Sequence, residues 1–364
     1  MADPLDWASI TEVAASARPA DLLDELAAIV DGLVGGHVWM LDLQRRVVTA
    51  LDSGEQLPML EVAARGPAVR MLRHHGVELG LVEFAFDGEP PGELLDALAA
   101  TVSLSVAAGA GIEDTTEQRR RTAEMSLPAE IQMSLLPPTE RRVGPLDLTA
   151  AIEPAYDTGG DVFDHVLDGN RLFLGVLDAR GHGLRAAALS AVATGAMRRA
   201  RRHRAGLVDI ASEIDTAIRS LDENEFVSGV LVELDLRSWR GRWLTAGHRS
   251  PLLVGSTVDE LPTAPCLPFG MWIGGDRPEP EVQELVVPAD RSLVLYSDGI
   301  VENVLENTSD MLGDGVFHDE LVAAHDRDGD THLARGIVER LLGRTGAVLR
   351  DDATLMIARR SSRD

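Results

Sequence analysis

The chain contains no lysine: all 34 of its basic residues are arginine, set against 59 Asp and Glu. The net charge is −25 and the pI about 4.7. A nucleic-acid partner needs a cationic surface, so this balance excludes nucleic acid as the main partner. Cysteine is nearly absent too. The single Cys266 rules out an internal disulfide and cannot build a zinc site alone, which fits a reducing cytoplasm. No apolar run reaches the roughly 18 residues of a spanning helix, so no membrane segment is expected. The first residues, Met-Ala-Asp-Pro-Leu-Asp, lack a basic stretch backed by an apolar one, so no signal peptide is expected either.

What the chain does have is apolar content, 45% over 364 residues, enough for two domains with real cores. Leu22, Leu23, Leu26, Ile29, Val30 and Leu33 recur at helical spacing. Short strands are predicted over 37–42, 46–51 and 77–86, punctuated by Gly35-Gly36 and Asp52-Ser-Gly54, and a helix over 92–110 closes the set. This makes residues 1–110 a small α+β domain, loosely similar to a GAF- or PAS-type sensor. Residues 111–139 are a polar, charged connector. Within it Pro128 opens a short helix that Pro137-Pro138 ends. Ile131 and Leu135 share one face of that helix, so it is expected to dock on something.

Residues 140–364 are rich in strands, predicted over 146–153, 161–167, 171–178, 226–236, 241–246, 251–254, 281–287, 292–297 and 354–358. Helices are inserted as blocks over 184–202 and 207–221, then over 317–324 and 331–342. Antiparallel strands with helices in blocks predict an α+β fold, a two-sheet β-sandwich flanked by helices. The run Arg198-Arg199-Ala-Arg201-Arg202-His-Arg204 closes a predicted helix, where cations suit the dipole; it reads as a solvated helix end or a binding patch.

The chemistry-bearing residues are acids at strand ends. Asp178 ends an apolar run and enters the turn Asp178-Ala-Arg-Gly-His182-Gly183, where glycines let the backbone fold tightly. Asp161 follows Gly159-Gly160, Asp298 lies in Tyr296-Ser-Asp-Gly299, and Asp351 opens Asp351-Asp-Ala-Thr354. Singly, each has a plain reading: Asp298-Gly299 as a turn, Gly159-Gly160-Asp161 as a hairpin, Asp351-Asp352 as a solvated turn. Together they suit hard divalent cations, which prefer carboxylate and carbonyl oxygen. Asp164 and Asp352 read equally as support or as surface. Cys266 lacks the Cys-x5-Arg pattern of cysteine phosphatases, being followed by Leu-Pro-Phe-Gly-Met-Trp.

In chain order the motifs are Ile131-Gln132…Leu135-Leu136-Pro137, Gly159-Gly160-Asp161-Val-Phe163-Asp164, the Asp178 turn, Thr245-Ala246-Gly247-His248, Pro268-Phe-Gly270, Ser297-Asp298-Gly299 and Asp351-Asp352-Ala-Thr354. This order resembles the metal-dependent Ser/Thr protein phosphatases of type 2C, in their RsbU/SpoIIE-like bacterial branch. The resemblance covers about residues 125–360 and implies a fold, an activity and a site. Two or more Mn²⁺ or Mg²⁺ ions are implied. Asp178 would bridge them, with the Ala179 carbonyl and Asp161 at the first ion and Asp298 and Asp351 at the second. A phosphorylated anti-sigma-factor antagonist is the implied substrate, and a homodimer through the first domain and connector the usual assembly. The eukaryotic enzymes place a histidine two positions after the bridging Asp. Arg180 stands there, to contact substrate phosphate or simply to face solvent. His182 and His248 are expected to be structural. Thr245 replaces the branch's usual Asn, and Ala179-Arg180 its usual Val-Ser or Gly-Met. No metal carboxylate is lost, so an active enzyme is expected. The alternatives are a phosphatase-fold binding module and a hydrolase of small phosphate esters.

Overall fold

The computed structural model describes residue 28 and residues 36–42, 47–66, 68–74, 77–84, 92–109, 124–153, 160–222, 224–271, 280–305, 310–325, 333–345 and 351–361. All of the helix expected over 20–33 except residue 28, and residues 111–123 of the connector, lie outside the described residues. The chain forms two compact units, Met1–Glu124 and Met125–Asp364. Among the described residues no helix is long and apolar enough to cross a membrane.

The first unit is built on β1 (His37–Leu41), β2 (Val47–Ala50), β3 (Gln56–Pro58), α1 (Met59–Ala63), β4 (Val69–His74), β5 (Val77–Glu83) and α2 (Gly92–Gly109). Its antiparallel sheet has the order β3-β2-β1-β5-β4. Strand β1 alternates strictly. Val38 and Met40 pack on Leu95, Leu98, Val102 and Val106 of α2, while Trp39 and Leu41 pack on Met59 and Val62 of α1. Both faces of this sheet are therefore covered. Strands β3 and β4 were not expected from the sequence.

The second unit begins with α3 (Leu127–Leu135), β6 (Glu140–Val143), β7 (Leu146–Glu153), β8 (Asp161–Asp168), β9 (Arg171–Ala179), α4 (Leu184–Arg202) and α5 (Leu207–Leu221). It continues through β10 (Val227–Asp235), β11 (Arg240–Ala246), β12 (Leu252–Val254), β13 (Val258–Glu260), β14 (Gln283–Val286), β15 (Ser292–Tyr296), α6 (Gly299–Glu302), α7 (Gly313–His325), α8 (Leu333–Leu342) and β16 (Ala353–Arg360). Two antiparallel sheets result, β14-β11-β10-β9-β8 and β13-β12-β15-β16-β7-β6. The expected sandwich is thus present, with each long predicted strand close to its expected place. The short edge strands β6 and β13 carry too few residues to show a period.

Alternation along the strands makes the layers. Leu172, Leu174 and Val176 of β9 face the second sheet, together with Val230, Val232 and Leu234 of β10 and Leu293, Leu295 and Met356. The intervening Phe173 and Leu177 face outward onto Leu189, Met197, Ile210 and Ile214 of α4 and α5. On the far side α7 and α8 cover the second sheet through Phe317, Leu321, Ile337 and Val338. The β8–β9 register is set by a two-residue loop, Gly169-Asn170, in which Gly169 takes the positive φ (60°) that such a hairpin demands at its first position. Counting back from that loop places Asp161 directly opposite Asp178.

Helix α3 docks within this unit, as expected, but on a different face. Ser126 caps it by accepting from the Ala129 amide, and Ala129 and Gln132 are its buried residues, whereas Ile131 and Leu135 are half-buried. The basic end of α4 is solvated at Arg199, Arg202, His203 and Arg204, as one reading expected, but not at Arg198 and Arg201. Arg198 and Arg201 turn inward to Asp164, at 3.1 and 2.8 Å, and Arg199 pairs with Glu213 at 2.6 Å. Asp164 is accordingly buried and structural, and no continuous basic patch forms from these arginines.

Candidate metal centre

The apolar stripe Leu172-Leu174-Val176 continues by alternation to position 178. There the sequence supplies a carboxylate where the pattern calls for a hydrocarbon. Asp161 starts β8 beside it. Asp298 follows β15 at the start of α6, and Asp351-Asp352 lead into β16. All five acids therefore gather at one end of the sandwich. Gly299 is needed for the approach of these strands: a Cβ there would lie 1.9 Å from the Asp352 carbonyl oxygen. Gly181 and Gly183 take φ of 84° and 76°, which lets the turn after Asp178 enter α4.

Their electrostatics follow from burial among like charges. Asp161 has its carboxyl pushed well above the usual range, first by burial, then by Asp178 and Asp352; hydroxyls of Ser297 and Thr354 pull the other way. The Thr354 hydroxyl donates to Asp161 Oδ2 at 2.6 Å. Asp178 is raised to about 7, by burial and then by Asp298 and Asp351. Asp352 is raised to about 6, mainly by burial, although its Oδ2 accepts from the Gly160 and Asp161 amides at 2.9 and 3.1 Å. Asp351 is raised by burial and by Asp298, while His182 lowers it. His182 thus lies near the acids but takes no proton-transfer geometry among the described residues.

The donor set fits a hard cation in chemistry and charge. It offers oxygen only. Among the described residues no arginine pairs with Asp161, Asp178, Asp298, Asp351 or Asp352, and the buried Asp352 Oδ1 has no hydrogen-bond partner. Buried carboxylates without compensation call for an external positive charge. The side chains raise one another's pKa without converging to ligand distance: no group of three described His, Cys, Asp or Glu side chains is close enough to hold an ion as it stands.

Three residues of this site carried no role in the sequence reading. Gln132 of α3 donates from Nε2 to the Asp161 carbonyl at 2.7 Å and to Asp352 Oδ2 at 3.1 Å. In the sequence it stands out only as the polar member of the Ile131-Gln132 motif, off the face that Ile131 and Leu135 share. Ser228 of β10 stands opposite Asp178 and donates to its Oδ2 at 3.3 Å. Thr354 had been quoted only as part of a motif. Arg180, in contrast, is exposed on the turn: its guanidinium lies 5.4 Å from the Phe226 ring centroid and donates to the Asn224 carbonyl at 3.1 Å. The Ala179 carbonyl belongs to the last residue of β9. His248 is pushed down to about 4 by burial of its ring.

The family profile described as Stage II sporulation protein E (SpoIIE) matches residues 168–361, more than half of the chain. The chain belongs to the SpoIIE family. Residues 168–361 are thus a type 2C protein serine/threonine phosphatase domain; Asp161 lies just before the matched segment, and Gln132 well upstream of it. Solved structures agree on the fold. The RsbU and RsbW domains of a Mycobacterium tuberculosis protein match with a TM-score of 0.53 and 24% identity, over 60% of this chain and 61% of that one. The SiaA PP2C domain of Pseudomonas aeruginosa matches with a TM-score of 0.54 and 22% identity, over 64% of this chain and 92% of that domain. The phosphatase domain of Bacillus subtilis SpoIIE, solved with a fragment of its regulatory domain, matches at 0.50 and 18%, over 59% and 64%. This chain therefore spans under two thirds of the first and third of these structures.

Proposed function

We propose that this SpoIIE-family phosphatase acts in the cytoplasm on a phosphorylated anti-sigma-factor antagonist, hydrolysing its phosphoserine or phosphothreonine with two divalent ions. The observation that carries this reading is the group of five carboxylates, with no arginine partner among the described residues, at one end of a type 2C sandwich. Two Mn²⁺ or Mg²⁺ ions there would supply a clamp on the phosphate and a water acidic enough to attack it. Asp178, the Ala179 carbonyl and Asp161 would hold one, and Asp178, Asp298 and Asp351 the other. The chain's own residues prepare the site. Thr354 fixes Asp161, and Gln132 ties α3 to the Asp161 backbone and to Asp352. Arg180, exposed beside Asp178, is the cation that meets the incoming phosphate, because its planar guanidinium matches phosphate oxygens.

We also assign a regulatory role to α3. Arg198 Nη2 donates to the Leu135 carbonyl at its C-terminal end, and Gln132 reaches the acids from its middle. A signal received by residues 1–110, read as a sensor and dimerisation domain, would pass through the connector of residues 111–139 and shift this helix. Equal activity and response in residues 125–364 alone and in the full chain would overturn that role.

The test of the main reading is phosphate release. Mn²⁺-dependent release from a phosphoserine protein should be lost in Asp178→Asn and Asp298→Asn. Faster release from nucleotide or sugar phosphates would instead make the protein a small-ester hydrolase. Phosphoprotein binding without release under any metal would make it a binding module.

A further inference from the structure

We propose that Ser228 and His248 form a hydrogen-bonded prop that orients the Asp178 carboxylate, which makes them positioning residues of the metal centre. The inference rests on the reading of Asp178 as a shared metal ligand. Register brings the three together. Ser228 pairs with Asp178 across β9–β10, and its side chain shares the inter-sheet face with Val230, Val232 and Leu234, as Asp178 does with Leu172, Leu174 and Val176. On both strands, therefore, an apolar stripe ends in a polar residue at the same level. His248 follows β11, the next strand in the sheet.

The distances form a chain. His248 Nδ1 lies 2.7 Å from Ser228 Oγ, and Ser228 Oγ lies 3.3 Å from Asp178 Oδ2. A serine hydroxyl has one proton to give. With an ion bound Asp178 is ionised and can only accept, so in that state the serine proton goes to Asp178. The short contact on the other side must then be Nδ1–H of His248 donating into the serine oxygen. With the ion bound, Ser228 thus selects the Nδ1–H form of His248. Nε2 is sealed from solvent, and the Tyr296 backbone carbonyl beside the ring is the acceptor that opposes the fall of its pKa.

The arrangement does for a carboxylate what outer partners do for other metal ligands. It fixes which oxygen points where before the ion arrives and polarises the hydroxyl that holds it. Asp178 has no other side-chain hydrogen bond among the described residues, so the prop is its one directional restraint. Thr354 plays the matching part for Asp161.

Calorimetric titration of Mn²⁺ into the full-length protein tests this directly. Ser228→Ala deletes a single oxygen and leaves the strand intact. It should weaken Mn²⁺ binding about tenfold, and His248→Ala should weaken it to a similar degree. Ser228→Thr keeps the hydroxyl and His248→Asn keeps an N–H near the Nδ1 position, so both should stay within about twofold of wild type. Folded Ser228→Ala or His248→Ala protein that binds Mn²⁺ within about twofold of wild type would overturn the prop. Asp178→Asn is the control. If it loses the metal while Ser228→Ala does not, the prop alone fails. If Asp178→Asn binds as wild type does, the metal-centre reading fails with it.

Discussion

Asp161 and Asp164 sit three residues apart on β8, each only 2% exposed, and the protein treats them in opposite ways. Asp164 faces the helices, where Arg198 and Arg201 meet its two oxygens at 3.1 and 2.8 Å. Its charge is compensated inside the fold. Asp161 faces the second sheet, where it meets Thr354 and the field of Asp178 and Asp352. No cation of the described chain answers it. A buried acid that is paired internally holds a structure together; one left among other acids waits for a charge from outside. The same strand thus anchors a helix with one carboxylate and leaves another uncompensated among like charges.

The largest effect should come from breaking the uncompensated side. Asp161→Asn and Asp178→Asn should each lower metal-dependent phosphate release by at least about a hundredfold, because they remove charge that the ions need. Circular dichroism of both should match wild type. Asp164→Asn should leave most of the activity per folded molecule. A hundredfold loss in Asp164→Asn with an unchanged melting curve would erase the distinction drawn here.

Stability should reverse the ranking. Asp164→Asn strands two half-buried guanidinium groups, and breaking a buried pair from one side costs about 3 kcal/mol. For a unit of this size that lowers Tm by roughly 6–12 °C. Differential scanning calorimetry of the metal-free protein reads it. Arg198→Ala should lose part of that amount and also free the Leu135 carbonyl at the end of α3.

How much of this contrast could be read from the chain depends on sequence separation. The Asp161–Asp178 pair is legible, because one tight hairpin at Gly169-Asn170 joins the strands and the register follows by counting. The sandwich is legible too, from strands that alternate over five or more residues. Ser228 was not, since α4 and α5 intervene between β9 and β10 and no count carries across them. Asp164 and its arginines are separated by a strand, a turn and most of a helix, so the basic run looked like a solvated end. Gln132 is 220 positions from Asp352, and only a tertiary contact could assign it. The acids stood out through local motifs at strand ends; Gln132 and Ser228, which support them, are long-range partners and stayed hidden.

His165, on the same strand, sharpens the comparison with a group that is buried neutral. Its Nε2 meets the Pro138 carbonyl at 2.7 Å, and burial pushes its pKa down to about 4. The folded state thus binds fewer protons than the unfolded one, whose histidine has a pKa of about 6.5. The stability this residue contributes is complete above about pH 6.5 and is lost as pH falls towards 4. Between pH 7.5 and 5 the advantage of wild type over His165→Gln should shrink by about 2 kcal/mol, as read from urea midpoints at each pH. An advantage that stays constant over that range would show that His165 is not held neutral.

The smallest effect is the most discriminating in sign. In a chelator, Asp161→Asn removes a negative charge that burial, Asp178 and Asp352 all oppose, while the amide can still accept from the Thr354 hydroxyl. The variant should therefore melt higher than wild type, by about 1 kcal/mol or roughly 2–4 °C, as sites strained for function commonly do when relieved. Adding Mn²⁺ should raise the wild-type Tm and leave that of the variant nearly unmoved, since binding to the native state alone is what stabilises it. Asp164→Asn must move the other way in chelator and keep its response to Mn²⁺. If both substitutions lowered the metal-free Tm alike, Asp161 would be a structural acid like its neighbour, and the cation it waits for would have no claim on it.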